Sequence, residues 1–67
     1  MRVGFLDAFS KREQEVLLLI AKGMTNKEIA DSLQITESTV KSYVHHILVK
    51  SGLQNRKQLI VIMHENN

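Results

Sequence analysis

The 67-residue sequence has no cysteine, proline or tryptophan, and it contains only three glycines and three aromatic residues. The absence of cysteine excludes disulfide bridges and thiolate metal sites. No apolar run approaches the roughly 20 residues of a membrane span, and residues 1–9 lack the apolar core of a signal peptide. A chain of this length holds one domain with one core. The sequence therefore predicts a single small, soluble, helix-rich domain.

Acidic residues are missing from most of the second half of the chain, with none between Ser38 and His64. Residues 1–37 contain five basic and six acidic residues, and residues 38–67 contain four basic and one acidic, giving net charges of −1 and +3. A one-sided positive field attracts polyanions such as nucleic acids. An ordinary solvated face is the alternative explanation of this charge distribution.

Each predicted helix begins at a residue whose side chain can cap it; these residues are Ser10, Thr25, Thr36 and Asn55. Gly23 and Gly52 stand where the first and third helices should end. The predicted helices span about 11–22, about two turns from residue 26, about 37–51 and about 56–65. Residues 1–9 lack periodicity and are expected to be a flexible lead-in or linker remnant, with the folded domain at 10–67.

The second and third predicted helices, with the short turn between them, form a helix-turn-helix. Its expected apolar scaffold is Ile29, Ala30, Leu33, Ile35, Val40 and Val44, and Ile47 and Leu48 extend the inner face of the third helix. On the opposite face of that helix lie Ser38, Lys41, Ser42 and His45. Such a helix fits the DNA major groove, which at about 12 Å wide admits one helix.

Candidate DNA contacts follow from the chemistry of this outer face. The hydroxyls of Ser38 and Thr39, beside free helix amides, suit a phosphate, and lysine, serine and histidine side chains can reach base edges. Lys27 and Lys50 would hold phosphates on either side of the duplex. The predicted DNA-binding residues are Lys27, Ser38, Thr39, Lys41, Ser42, His45 and Lys50. The alternative is a helical core whose polar residues are merely solvated.

The fourth predicted helix contains five consecutive apolar residues, 59–63, which must point in every direction around its axis. Such a helix predicts a burial partner beyond its own core. We expect Leu59, Ile62 and Met63 to face inward, and the expected dimer interface is Lys57, Ile60, Val61 and His64. The two faces could be reversed, or the helix could simply be half-buried.

Metal binding and catalysis have little support in the sequence. His45 and His46 are adjacent and point about 100° apart on a helix, so they are poorly placed to share an ion with each other or with His64. Glu13 and Glu28 are explained by helix capping, and no nucleophile–base pair or glycine-rich phosphate loop is present. We expect no enzyme activity, no cofactor and no metal site.

Three stretches together resemble the LuxR-type effector domain. They are Arg12-Glu13-x-Glu15-Val16-Leu17, then Gly23-Met24-Thr25-Asn26-Lys27-Glu28-Ile29-Ala30, then Thr39-Val40-Lys41. The resemblance extends over roughly residues 9–63. It implies a four-helix module of bacterial transcription regulators, often the output half of response regulators or quorum sensors. In this family the third helix reads DNA and the fourth commonly mediates dimerisation. The implied base-reading residues are Lys41, Ser42 and His45, and the implied phosphate contacts are Lys27, Thr39 and Lys50.

The sequence as a whole predicts an all-α, four-helix bundle-like module containing a helix-turn-helix. Its expected function is sequence-specific binding of double-stranded DNA in bacterial transcription regulation, in the cytoplasm at the nucleoid. Expected partners are DNA, a second copy of the chain and, as a further candidate, RNA polymerase; no membrane and no small-molecule ligand is expected. The alternatives are a protein-interaction helical module and a promoter-reading region like that of a sigma factor.

Overall fold

A computed structural model of the chain describes residues 4–65, which contain a short 3-10 helix at Phe5–Ala8 and four α-helices. The α-helices are α1 Lys11–Ala21, α2 Asn26–Leu33, α3 Glu37–Ser51 and α4 Arg56–Glu65. Residues 4–65 include no strand, and none of their helices is long and apolar enough to cross a membrane. The predicted all-α, four-helix architecture is confirmed, and each predicted helix lies within one residue of its observed bounds.

The predicted caps of α1 and α2 form, each as a reciprocal capping box with the glutamate three residues later. Ser10 Oγ accepts from the Glu13 amide at 3.2 Å, and Glu13 Oε1 accepts from the Ser10 amide at 2.9 Å. Thr25 and Glu28 make the same reciprocal pair at 3.1 and 2.8 Å. Each box satisfies two amides at the start of a helix that have no partner within it. The sequence spacing therefore fixes where α1 and α2 begin.

The caps of α3 and α4 also form, and a second side chain contacts the backbone at the start of α4. Thr36 Oγ1 accepts from the Thr39 amide at 3.1 Å, and Asn55 Oδ1 accepts from the Gln58 amide at 3.0 Å. The Gln58 side chain, however, accepts from the amide of Gln54 at 2.7 Å, one residue before the cap. The start of α4 is thus held by two side-chain contacts.

Three residues with positive φ end helices. Gly23 and Gly52 have φ of +84° and +72°, as the sequence predicted. Gln34 ends α2 at φ +59°, in a conformation that costs a residue with a Cβ atom roughly 1–2 kcal/mol. Its backbone allows the Ile35 amide to bond the Ala30 carbonyl at 3.0 Å. This turn sets the angle between α2 and α3.

The segment before α1 differs from the expected flexible lead-in. Phe5–Ala8 forms a 3-10 helix, and Phe9 is buried in the core at 6% exposure. Gln14 Nε2 donates to the Leu6 and Phe9 carbonyls at 2.9 and 3.1 Å, which fastens the segment to α1. Residues 5–9 therefore pack with the domain, because the Phe9 ring is buried in the core. Residues 1–3 lie outside the described part of the chain.

The core lies where α1 packs on α3 and α4, and where α2 packs on α3. Its buried side chains are Phe9, Val16, Leu17, Ile20, Ile29, Ala30, Val40, Ile47, Leu59 and Met63. The predicted scaffold residues Leu33, Ile35 and Val44, together with Leu48, are partly buried against this core. The packing joins α2 to α3 and leaves the outer face of α3 exposed.

Candidate nucleic-acid interface

The outer face of α3 presents the predicted base-reading side chains to solvent. Lys41, Ser42 and His45 are all exposed, and so is Ser38 one turn earlier. Val40, on the opposite side of the helix, is completely buried. Because an α-helix repeats every 3.6 residues, the four polar residues form one stripe along the side of α3 that faces away from the core. The predicted base-reading residues therefore share one exposed face of α3.

The first turn of α3 carries a short chain of hydroxyls. Thr36 Oγ1 accepts from the Thr39 amide, and the two threonine hydroxyl oxygens lie 2.9 Å apart. When Thr36 donates to Thr39, the Thr39 hydroxyl hydrogen is left to donate elsewhere, since each hydroxyl has one hydrogen. The exposed Thr39 hydroxyl is then oriented to donate to an anion such as a phosphate.

Lys27 is the second residue of α2 and is exposed. A cation at this end of a helix opposes the helix dipole, whose positive end lies there. A lysine at this position therefore does not stabilise α2. It does place a positive charge beside free helix amides, a combination that attracts anions.

Lys50 is committed to a contact that the sequence did not predict. Its Nζ lies 2.9 Å from Glu13 Oε1 and 5.7 Å from the centre of the Phe9 ring. The hydrogen bond from Lys50, followed by that from the Ser10 amide, holds the pKa of Glu13 below its usual range. Lys50 thus neutralises a buried carboxylate, and its predicted phosphate contact would have to compete with that ion pair.

Arg56 makes a second long-range contact that the sequence did not predict. As the first residue of α4, it donates from Nη1 to Asn26 Oδ1 and from Nη2 to the Met24 carbonyl. Partial burial lowers the pKa of its guanidinium, which remains protonated at neutral pH. Neither contact was evident from the sequence, because Arg56 is separated from its partners by 30 and 32 residues.

The predicted dimer residues on α4 do not share one environment. Lys57, Val61 and His64 are exposed, whereas Ile60 is partly buried against the core. His64 Nε2 lies 3.1 Å from the Ala21 carbonyl at the end of α1. The expected inward residues Leu59 and Met63 are buried, and Ile62 is partly so. The apolar surface left on α4 is centred on Val61, which is 52% exposed.

Comparison with known proteins identifies the family. The sequence model of the family described as bacterial regulatory proteins, luxR family, matches residues 7–63. The chain belongs to the LuxR family. It is also 42% identical over 66 residues to the response regulator protein VraR of Staphylococcus aureus strain NCTC 8325 and to that of Staphylococcus epidermidis. Each alignment covers 98% of this chain and 32% of the relative, so the chain spans about a third of its relatives' length.

Membership of the LuxR family confirms the predicted resemblance and places the chain among DNA-binding domains of transcription regulation. It is a family of regulators and not of enzymes. Within residues 4–65, no three histidine or acidic side chains come close enough to hold a metal ion, and the rings of His45 and His46 are 6.1 Å apart.

Proposed function

We propose that this LuxR-family domain binds duplex DNA sequence-specifically by placing the outer face of α3 in the major groove. The observation that carries the proposal is the exposed stripe of Ser38, Lys41, Ser42 and His45, which lies opposite the buried residue Val40. Lysine can donate to guanine O6 or N7, and serine can bond several base edges. Lys41, Ser42 and His45 would therefore read bases.

Phosphate contacts would fix the orientation of α3 in the groove without reading sequence. Lys27 is assigned to one strand, and Ser38 and Thr39 at the start of α3 supply exposed hydroxyls. Lys50 would contribute less than Lys27, because it reaches a phosphate only by giving up its 2.9 Å ion pair with Glu13. The charge excess in the second half of the chain adds a field that attracts DNA.

On DNA the domain would act as a dimer on two half-sites about one helical turn apart, with α4 as the interface. The half-exposed Val61 supports this assignment, and Lys57, Ile60 and His64 would surround it. Because its relatives are named response regulators, we place the domain at the output end of such a regulator in the bacterial cytoplasm. There it would recruit or block RNA polymerase at promoters.

Titration of fluorescently labelled duplex DNA at several salt concentrations tests the assigned phosphate contact. The wild-type domain should bind with an affinity that falls steeply with salt, and Lys27→Ala should flatten the log–log slope by about one unit for every DNA sequence. Lys11→Ala is the matched control, since Lys11 is likewise an exposed lysine in the first turn of a helix, α1, and is not among the assigned DNA contacts. Its slope should stay closer to wild type.

Two results would contradict the proposal. Wild-type binding that is absent or insensitive to salt would favour a protein-interaction module instead. A Lys27→Ala variant that changes base preference and leaves the salt slope unchanged would show that Lys27 reads bases and does not hold a phosphate.

A further inference from the structure

The Arg56 guanidinium joins the start of α4 to the turn that leads into α2. One of its acceptors is the Met24 carbonyl in that turn, and the other is the side chain of Asn26, the first residue of α2. The two acceptors lie on either side of Thr25, whose hydroxyl caps α2. A rigid, planar donor that bonds both sides of a cap restricts how the first helical turn can tilt.

Apart from this link, α2 and α4 pack little on each other. The packing of α2 is mainly on α3 and α1, whereas α4 packs mainly on α1. Lys27, the residue assigned to a DNA phosphate, directly follows Asn26, which accepts from Arg56. Any movement of the turn at residues 24–26 would therefore also displace the backbone of Lys27.

The electrostatics of the contact argue against a role in stabilising α2 alone. Arg56 lies near the positive end of the α2 dipole, where a cation is unfavourable. The Met24 carbonyl and the Asn26 amide oxygen offset that repulsion with two directed hydrogen bonds. These two hydrogen bonds fix the position of the Arg56 guanidinium relative to the first turn of α2, which already carries a second cation, Lys27.

We propose that Arg56 is a positioning residue for DNA binding, which holds the first turn of α2 so that Lys27 meets a phosphate. This inference rests on the proposed function, in which Lys27 contacts DNA. Arg56 itself makes no contact with the duplex in this account, because its guanidinium is directed at Met24 and Asn26.

A double-mutant cycle between Arg56→Gln and Lys27→Ala tests the inference, with affinity for one duplex measured by fluorescence anisotropy at about 0.1 M salt. Loss of one phosphate contact should cost roughly fivefold to tenfold in affinity in Lys27→Ala. Arg56→Gln should weaken wild-type binding about threefold but change binding by the Lys27→Ala variant by less than about 1.5-fold, because coupled residues are not additive.

Two further variants separate geometry from charge. Asn26→Ala removes one Arg56 acceptor without changing net charge, and it should reproduce most of the Arg56→Gln loss. Lys11→Gln removes the same charge as Arg56→Gln from the first position of another helix and should have a smaller effect. If thermal melting shows that Arg56→Gln is unfolded, Asn26→Ala takes its place in the cycle.

The outcomes distinguish this inference from the function on which it rests. Independent, multiplicative losses in the cycle, with Asn26→Ala at wild-type affinity, would overturn the inference and indicate a direct phosphate contact by Arg56. A Lys27→Ala variant that binds like wild type would overturn the assigned role of Lys27 and, with it, the positioning role of Arg56.

Discussion

Glu13 shows how one residue serves two structural purposes. Its position three residues after Ser10 predicts a cap, and the cap forms. The same carboxylate accepts from Lys50 at 2.9 Å while its side chain is 9% exposed. A buried carboxylate is costly unless it is paired and hydrogen-bonded, and here both conditions are met. Glu13 therefore ties the start of α1 to the end of α3.

The pairing predicts a pH dependence of stability that Glu13→Gln should remove. The pKa of Glu13 is lowered in the folded protein, mainly by Lys50, so its contribution is present above the ordinary pKa of 4.5 and lost as the pH falls through the lowered value. Glutamine can keep the cap but not the ion pair. At pH 7 the variant should be less stable by about 1 kcal/mol, because the exposed Lys50 head is screened by water.

Urea unfolding at pH 7, 5 and 3 measures this difference, which should shrink as the pH falls. Glu28→Gln is the matched control, since Glu28 makes the same backbone cap in α2 but is exposed. Its effect should be small at every pH. A Glu13→Gln penalty that is the same at pH 3 as at pH 7 would contradict the role of the ion pair.

Single residues were predictable from the sequence where local rules decide them, and not where distant contacts do. Val16, Leu17 and Ile20 follow helical spacing and are all completely buried. The Glu13–Lys50 contact spans 37 residues and exists only once α1 lies against α3. The positive φ of Gln34 was not predictable from the sequence, because glycine or asparagine is usual at such a position.

At the scale of elements, helix ends were the most predictable features. Capping is a chemical match between a side chain and amides two or three residues away, so spacing alone reveals it. The 3-10 helix at Phe5–Ala8 begins at Gly4, which has no capping side chain, although the Asp7 carboxylate accepts from the Gly4 amide at 2.9 Å. The burial of Phe9 depends on space left between other elements. This is why the segment before α1 was expected to be a flexible lead-in.

The fourth helix carries the element-scale prediction. Five consecutive apolar residues cannot all enter one core, and Val61 remains half-exposed. Sedimentation of the isolated domain should therefore show weak, concentration-dependent association. Val61→Glu should abolish it, since burying an unpaired charge in an interface is costly.

Val49→Glu provides the control for this test, because Val49 is 67% exposed on the outer face of α3 and away from the proposed interface. Its self-association without DNA should match wild type. Strictly monomeric behaviour of the wild-type domain to nearly millimolar concentration would count against α4 as an interface.

At the scale of the whole molecule, the observed fold and the family both agree with what the sequence predicts. DNA binding is indicated by the uneven charge, by the exposed α3 stripe and by the match to the LuxR family. The proposed base contacts of Lys41, Ser42 and His45 would depend on how the domain lies in the groove. In the proposed complex that orientation would be set by phosphate contacts and by a second copy, neither of which is encoded in the spacing of residues along one helix.

The most direct test of the central claim, that α3 reads sequence in the major groove, is selection of preferred sites from a random pool of duplex DNA. The wild-type domain should enrich one half-site, repeated at about one helical turn. Ser42→Ala should change the preferred base at one position per half-site, whereas Lys27→Ala should enrich the same sequence with lower affinity. An identical preferred sequence for wild type and Ser42→Ala and His45→Ala variants, or no enrichment by the wild type, would contradict the account.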